Sequence, residues 1–241
     1  MKKESLIFGI IGLAAGLLIG FWFANSVNQT GIASASASAS TSPSAASGNA
    51  NIPPGHPNIG QAPGGTGGAM DVAVQETIDA AKAAPGDFAT QLKAADVYSR
   101  IGRWEEALTY LKIAIKLKPE DRETMVSLGN TYFDAEKYED AEKWYTAALA
   151  KKADDANVRT DLGLIFVFRD PPNYDRAIQE FNRSLAVDPN HIQTLQNLTV
   201  AYTKVEDIGK AKATLAKLES IDAKNTAITQ LRDEIQKLGS K

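Results

Sequence analysis

The stretch "RWEEALTYLKIAIKLKPED" (103–121) is written again, with other residues, at "KYEDAEKWYTAALAKKADD" (137–155) and "NYDRAIQEFNRSLAVDPN" (173–190). An aromatic is followed three residues on by alanine, then by an aromatic or leucine, then by a second small residue. A chain that repeats one helix-length phrase cannot bury the apolar face of any single copy, so the copies must stack on one another. Apolar residues from residue 70 onward recur at helical spacings of 3, 4 and 7, with Gly and Pro nearly absent from segment interiors. This predicts an all-α solenoid and no sheet.

Aligned on their small residues, the copies are Ala94, Ala95, Tyr98, Ala107, Leu111, Ala114, Pro119; then Leu128, Gly129, Tyr132, Ala141, Tyr145, Ala148, Ala153; then Leu162, Gly163, Phe166, Ala177, Phe181, Ser184, Pro189; and a degenerate fourth, Leu198, Thr199, Tyr202, Ala211, Leu215, Leu218, Ala223. Ala107 and Ala141 are 34 residues apart, the length of one helix–turn–helix unit. The third copy holds extra residues in "FRDPPNYD", where Pro171-Pro172 should stop its first helix near Arg169. Small residues at 95, 129 and 163 are expected to face those at 107, 141 and 177, letting paired helices pack closely. Asp121, Asp155 and Asn190 stand where they could cap the following helices.

These motifs resemble the tetratricopeptide repeat, over about 88–225. The resemblance implies a right-handed superhelix of four repeats (88–121, 122–155, 156–191 and 192–225). An N-terminal half-repeat around "DVAVQETIDAAKAAPGD" and a C-terminal capping helix at 226–238 would close its ends, within a domain spanning 70–241. It also implies a protein-binding concave face lined by the first helix of each pair. By spacing, that face should carry Leu92, Asp96, Ser99 and Arg100; Val126, Asn130, Phe133 and Asp134; Thr160, Leu164, Val167 and Phe168; and Gln196, Val200, Thr203 and Lys204. Its middle would be apolar, with Val126, Phe133, Leu164 and Val200 as anchors. Some family members hold a peptide's terminal carboxylate with Lys, Arg and Asn here. Only Asn130 matches that pattern, so that function is not carried over.

Two segments precede the repeats. Residues 1–24, "MKKESLIFGIIGLAAGLLIGFWFA", contain an uncharged run from Leu6 to Phe23. As a helix this is about 27 Å long, close to a hydrocarbon core of about 30 Å. Lys2 and Lys3 precede it and no Lys or Arg follows before Lys82, which places the amino terminus in the cytoplasm and the repeats outside the cytoplasmic membrane. A cleaved signal peptide is the alternative, with the Ala-Ser-Ala triplets near Ala33 as its cleavage region. Gly12, Gly16 and Gly20 share one helix face and could let two membrane helices approach as a homo-oligomer. Residues 25–69 are rich in Ser, Ala, Pro and Gly and read as a disordered linker.

Composition excludes several function classes. There are no cysteines, so disulfides, thiolate metal sites, a cysteine nucleophile and a lipid-modified amino-terminal Cys are all ruled out. A net charge of −3 gives no reason to expect nucleic acid. The two histidines, His56 and His191, form no metal-binding spacing, and no phosphate loop or His-Glu-x-x-His pair is present. The expectation is a protein-binding scaffold without cofactor, metal or catalysis. It would serve the assembly of extracytoplasmic proteins or complexes; the alternatives are an oligomeric structural envelope spacer or an assembly factor of the cytochrome c maturation type.

Overall fold

The computed structural model describes residues 67–240, and over them the chain is entirely helical. The expected membrane helix, its glycine face and the linker up to residue 66 lie outside the described residues. Among the described residues no helix is long and apolar enough to cross a membrane. The compact unit is Asp71–Lys241.

Ten helices stand in order among the described residues: α1 (Gly67–Ala83), α2 (Phe88–Arg100), α3 (Trp104–Leu117), α4 (Arg122–Asp134), α5 (Tyr138–Lys151), α6 (Ala156–Phe168), α7 (Tyr174–Val187), α8 (Ile192–Lys204), α9 (Ile208–Ile221) and α10 (Ala227–Gly239). The pairs α2–α3, α4–α5, α6–α7 and α8–α9 are antiparallel hairpins. Each return helix also packs on the first helix of the next pair, and α10 covers α9 and part of α8.

The small residues of the repeat have a sharper purpose than expected. A Cβ on Gly129 would come within 2.5 Å of the Tyr145 ring, and one on Gly163 within 2.5 Å of the Phe181 ring. The glycines therefore admit an aromatic ring from the return helix, beyond letting alanines meet. Where the return helix offers Leu111 or Leu215 at the equivalent position, the first helix carries Ala95 or Thr199 instead. Ala107, Ala141, Ala177 and Ala211 are all fully buried.

The turns inside the pairs share one closure. The N–H of Arg103, Lys137 and Asp207 donates to the carbonyls of Tyr98, Tyr132 and Tyr202, at 2.9, 2.8 and 2.9 Å. This six-residue bond satisfies a carbonyl at the helix end and needs a left-handed residue just before it. Gly102 (φ 73°), Glu136 (φ 58°) and Glu206 (φ 59°) fill that place. In the third pair α6 stops at Phe168, and the Asn173 N–H reaches the Phe166 carbonyl at 2.7 Å. The extra residues are looped out and the same closure is restored.

Between pairs, aspartates cap the first helices. Asp87, Asp121 and Asp155 accept from the N–H groups of Thr90, Thr124 and Val158. The cap of α8 is His191 and not Asn190. The two residues inserted in the third pair shift the register, so the position equivalent to Asp155 falls on the histidine. Its Nδ1 lies 2.6 Å from Thr194 Oγ1 and its Nε2 lies 2.8 Å from Asn157 Oδ1. Capping makes Nδ1 an acceptor, so Nε2 carries the proton and donates to Asn157; burial pushes the His191 pKa down.

Candidate protein-binding groove

The first helices α2, α4, α6 and α8 lie side by side, and their faces turned away from the return helices form the candidate surface. The surface is open at α2 and α4, and it closes progressively toward α8. Leu92, Val126, Asn130, Phe133, Val167 and Phe168 are half-buried, while Asp96, Arg100, Asp134 and Lys204 are exposed.

Five expected groove residues are instead buried, which corrects the anchor set. Leu164 is 4% exposed and Val200 7%. The first helices of the third and fourth pairs touch each other directly, and apolar side chains on that row pack away. Thr160 is 1% exposed and belongs to a buried hydroxyl cluster, with Ser184 Oγ at 3.0 Å and Thr194 Oγ1 at 2.6 Å. Gln196 is 4% exposed and its Nε2 donates to Asn225 Oδ1 at 2.7 Å, just before α10. Thr203 is the fifth; its hydroxyl donates back to the Thr199 carbonyl at 2.8 Å. Arg100 is already matched, since its Nε lies 3.0 Å from Asp96 Oδ2.

The open part has its own chemistry. Phe133 stands edge-on to Phe168 of the next repeat, with ring centroids 5.7 Å apart, and to Tyr138 at 5.6 Å. Two aromatic rings from adjacent repeats thus meet at a half-buried surface, and Val126 on α4 and Val167 on α6 are half-buried as well. Asn130 Oδ1 accepts from the buried Tyr145 hydroxyl at 2.8 Å, which fixes the amide at the groove floor.

Acidic groups flank this patch. Asp134 reaches solvent, yet enough protein surrounds its carboxyl for desolvation to push its pKa up to about 6. Asp161, absent from the sequence-derived set, is 6% exposed, and burial raises its pKa to about 8, helped by the charges of Asp155 and Asp134. Neither carboxyl has a hydrogen bond or ion pair among the described residues. The signal for Asp161 is present in the sequence: one acid inside the otherwise apolar run "DLGLIFVF". Spacing alone selects the row through Thr160 and Leu164 and passes over its neighbour. Asn197, one repeat on at the same register, is missed for the same reason; it is 4% exposed and its Oδ1 has no partner.

Nothing among the described residues gathers three or more His, Asp or Glu in a metal-binding group. The buried acid Glu180, 1% exposed, is matched by Arg159, Arg176 and Arg183 at 3.2, 3.2 and 2.8 Å and serves the packing of the third pair.

An array of antiparallel helix pairs, joined by like turns and closed at one end by a single helix, is an α-solenoid of helix–turn–helix repeats. A family model described as tetratricopeptide repeat matches residues 92–157, and the described domain has the tetratricopeptide-repeat fold. Solved structures of similar fold include MamA, 24% identical with a TM-score of 0.58, covering 66% of this chain and 86% of that one. MamA 41-end from Desulfovibrio magneticus RS-1 is 18% identical, with a TM-score of 0.59, covering 66% of this chain and 89% of that one. YrrB, described as a TPR protein with an unusual peptide-binding site, is 14% identical with a TM-score of 0.51, covering 70% of this chain and 94% of that one. A search of curated proteins found no match.

Proposed function

We propose that this chain is a membrane-anchored tetratricopeptide scaffold. It holds a segment of another protein against the open part of its groove, between α2 and α6. The observation that carries this reading is the half-buried Phe133–Phe168 pair, with the half-buried Val126 two turns earlier on α4 and Val167 next to Phe168 in sequence on α6. Apolar residues from neighbouring first helices gather there without being sealed, which is how a surface that awaits a ligand is built. YrrB supports the reading by its fold and its described peptide-binding site. The fourth repeat takes no part, because α10 and the contact of α6 with α8 bury its inner face.

The anchor in this proposal is the run Leu6–Phe23, with Lys2 and Lys3 holding the amino terminus in the cytoplasm. The repeat domain then stands outside the cytoplasmic membrane at the end of the Ser/Ala/Pro/Gly-rich stretch, where its clients would be exported proteins. Protease added to intact spheroplasts should remove the repeat domain and leave the anchor. Full protection would refute the orientation. Release of a soluble domain with a new amino terminus near Ala33 would replace the anchor by a cleaved signal.

The groove is tested with Val126→Glu, a change at a half-buried position that should leave the fold intact. Capture of bound protein by the full chain should fall at least tenfold. Undiminished capture by a folded variant would move binding elsewhere on the molecule.

A further inference from the structure

Three of the four first helices begin on an aspartate, but α8 begins on His191, the one cap among them of a residue type that titrates close to neutral pH. Its Nδ1 accepts from the Thr194 N–H at 3.4 Å and lies 2.6 Å from the Thr194 hydroxyl. That hydroxyl belongs to a buried cluster tying three helices together. Thr160 Oγ1 of α6 lies 2.6 Å from Thr194 Oγ1 of α8, and Ser184 Oγ of α7 lies 2.9 Å from it. The hydroxyls of Thr160 and Ser184 both donate to the Ala156 carbonyl, at 2.7 and 2.9 Å. With those two protons placed, the third goes from Thr194 to Nδ1. Every hydroxyl hydrogen of the cluster is then used, and the arrangement requires an Nδ1 without a proton.

We propose that His191 is an acid-sensitive latch between the third and fourth repeats: a proton on Nδ1 uncaps α8 and rewires the hydroxyl cluster that joins α6, α7 and α8. An imidazolium has donors only, so the Thr194 N–H loses its acceptor and the Thr194 hydroxyl must turn toward Thr160 or Ser184. The new charge also sits at the N-terminus of α8, where the helix dipole is positive. Two acids act in the other direction: Asp155, just before α6, and Asp188, at the end of α7, favour the charged ring. Asp155 is already engaged by Arg122, and Asp188 accepts from the Asn190 N–H at 3.0 Å. Desolvation of the half-buried ring outweighs both and holds its pKa below the ordinary histidine value. Above that ordinary value of about 6.5 the ring is neutral in the folded and the unfolded chain, and the cap has its full strength. As pH falls below it the unfolded chain takes up the proton first, so stability is lost until the folded ring is protonated too. On these same helices, α6 and α8 touch and bury Leu164 and Val200, so acid loosens the fourth repeat from the other three.

Amide hydrogen exchange of the full chain tests the latch, read at the first turn of α8 at about pH 7.5 and about pH 5 and corrected for the intrinsic rate. Protection there should drop at least about threefold in acid, while the first turns of α4 and α6, capped by Asp121 and Asp155, keep theirs. His191→Asn retains an accepting cap that does not titrate, so its protection should be the same at both pH values. His191→Ala has no cap and should be poorly protected at both. Asp161 is present in every one of these chains and cancels from the comparison. His56 is the only other histidine, so His56→Ala leaves a single imidazole to follow by NMR. That ring should carry its neutral proton on Nε2 and should titrate below about 6.5. An acid-induced loss that persists in His191→Asn would overturn the latch, as would a ring that titrates at or above the ordinary value. Equal protection of α8 in the parent chain at the two pH values would overturn it as well.

Discussion

Gly129 and Tyr145 show how tightly one residue is specified by another in this array. The Tyr145 ring occupies the space a side chain at 129 would need. Gly129→Ala should therefore destabilise the domain by about 1–3 kcal/mol through overpacking. Tyr145→Leu in the same chain should recover part of the loss, since Leu111 already sits opposite Ala95 in the first repeat. Chemical denaturation of the two single variants and the double variant measures this; equal or additive losses would show that ring and glycine are independent. Asp161 makes a prediction in pH. Its folded pKa of about 8 lies far above the ordinary carboxylate value near 4. Below about pH 4 it is protonated in both states and costs nothing. Between about 4 and 8 the unfolded chain releases a proton that the folded chain keeps, so stability falls as pH rises through that window. Asp161→Asn should flatten this slope, with the variant gaining over the parent at pH 8 and matching it near pH 4. A parallel pair of stability–pH curves would refute the burial of this carboxyl.

At the scale of the element, the hairpin turn is the unit to test. The same six-residue closure needs a left-handed residue, and the chain supplies glycine once and glutamate twice. A non-glycine residue there costs about 1–2 kcal/mol, against about 0.5–1 kcal/mol for the freedom glycine has in the unfolded chain. Glu136→Gly should raise stability by up to about 1 kcal/mol, and Gly102→Ala should lower it by about 1 kcal/mol, both read from thermal melts. The helices and their pairing are legible in the sequence because small residues and aromatics recur at fixed helical offsets. Gln91 is legible only as a departure from that pattern. Its purpose is local: its Nε2 donates to the carbonyls of Ala81 and Ala84 and closes the end of α1, at 2.8 and 3.0 Å. Arg159, at the equivalent place in the third repeat, likewise reaches back to the Ala153 carbonyl at 3.0 Å. The cap of α8 falls on His191, one residue past Asn190, because the insertion in the third pair also displaces the start of the fourth.

Across the whole domain, the sequence hides how the first helices meet one another. Spacing says which residues of a helix avoid its own partner, and that much places Val126 and Phe133 at an accessible surface. It does not say whether a neighbouring first helix or a terminal helix will cover the rest. Leu164 and Val200 are covered in that way, and Asp161 is buried although it is an acid. The ends of the array differ accordingly: α1 offers only a few buried residues such as Ile78 and Ala81, whereas α10 buries Ala227, Ile228, Leu231 and Ile235. Leu231→Ala should cost about 2–5 kcal/mol and should increase amide hydrogen exchange in α8 and α9 before α2 and α3. Uniform exchange across the array would mean that the cap stabilises all repeats as one cooperative unit.

If the open groove between α2 and α6 is where another protein is held, that protein must come within reach of Phe133. Site-specific photo-cross-linking in cells reads this contact, with a benzophenone amino acid placed at Phe133 and, separately, at the exposed Val187 at the end of a return helix. A discrete cross-linked partner is expected from position 133, weakened by Val126→Glu in the same chain, and none from position 187. Cross-links from 187 with none from 133 would place the binding surface on the return helices and refute the groove.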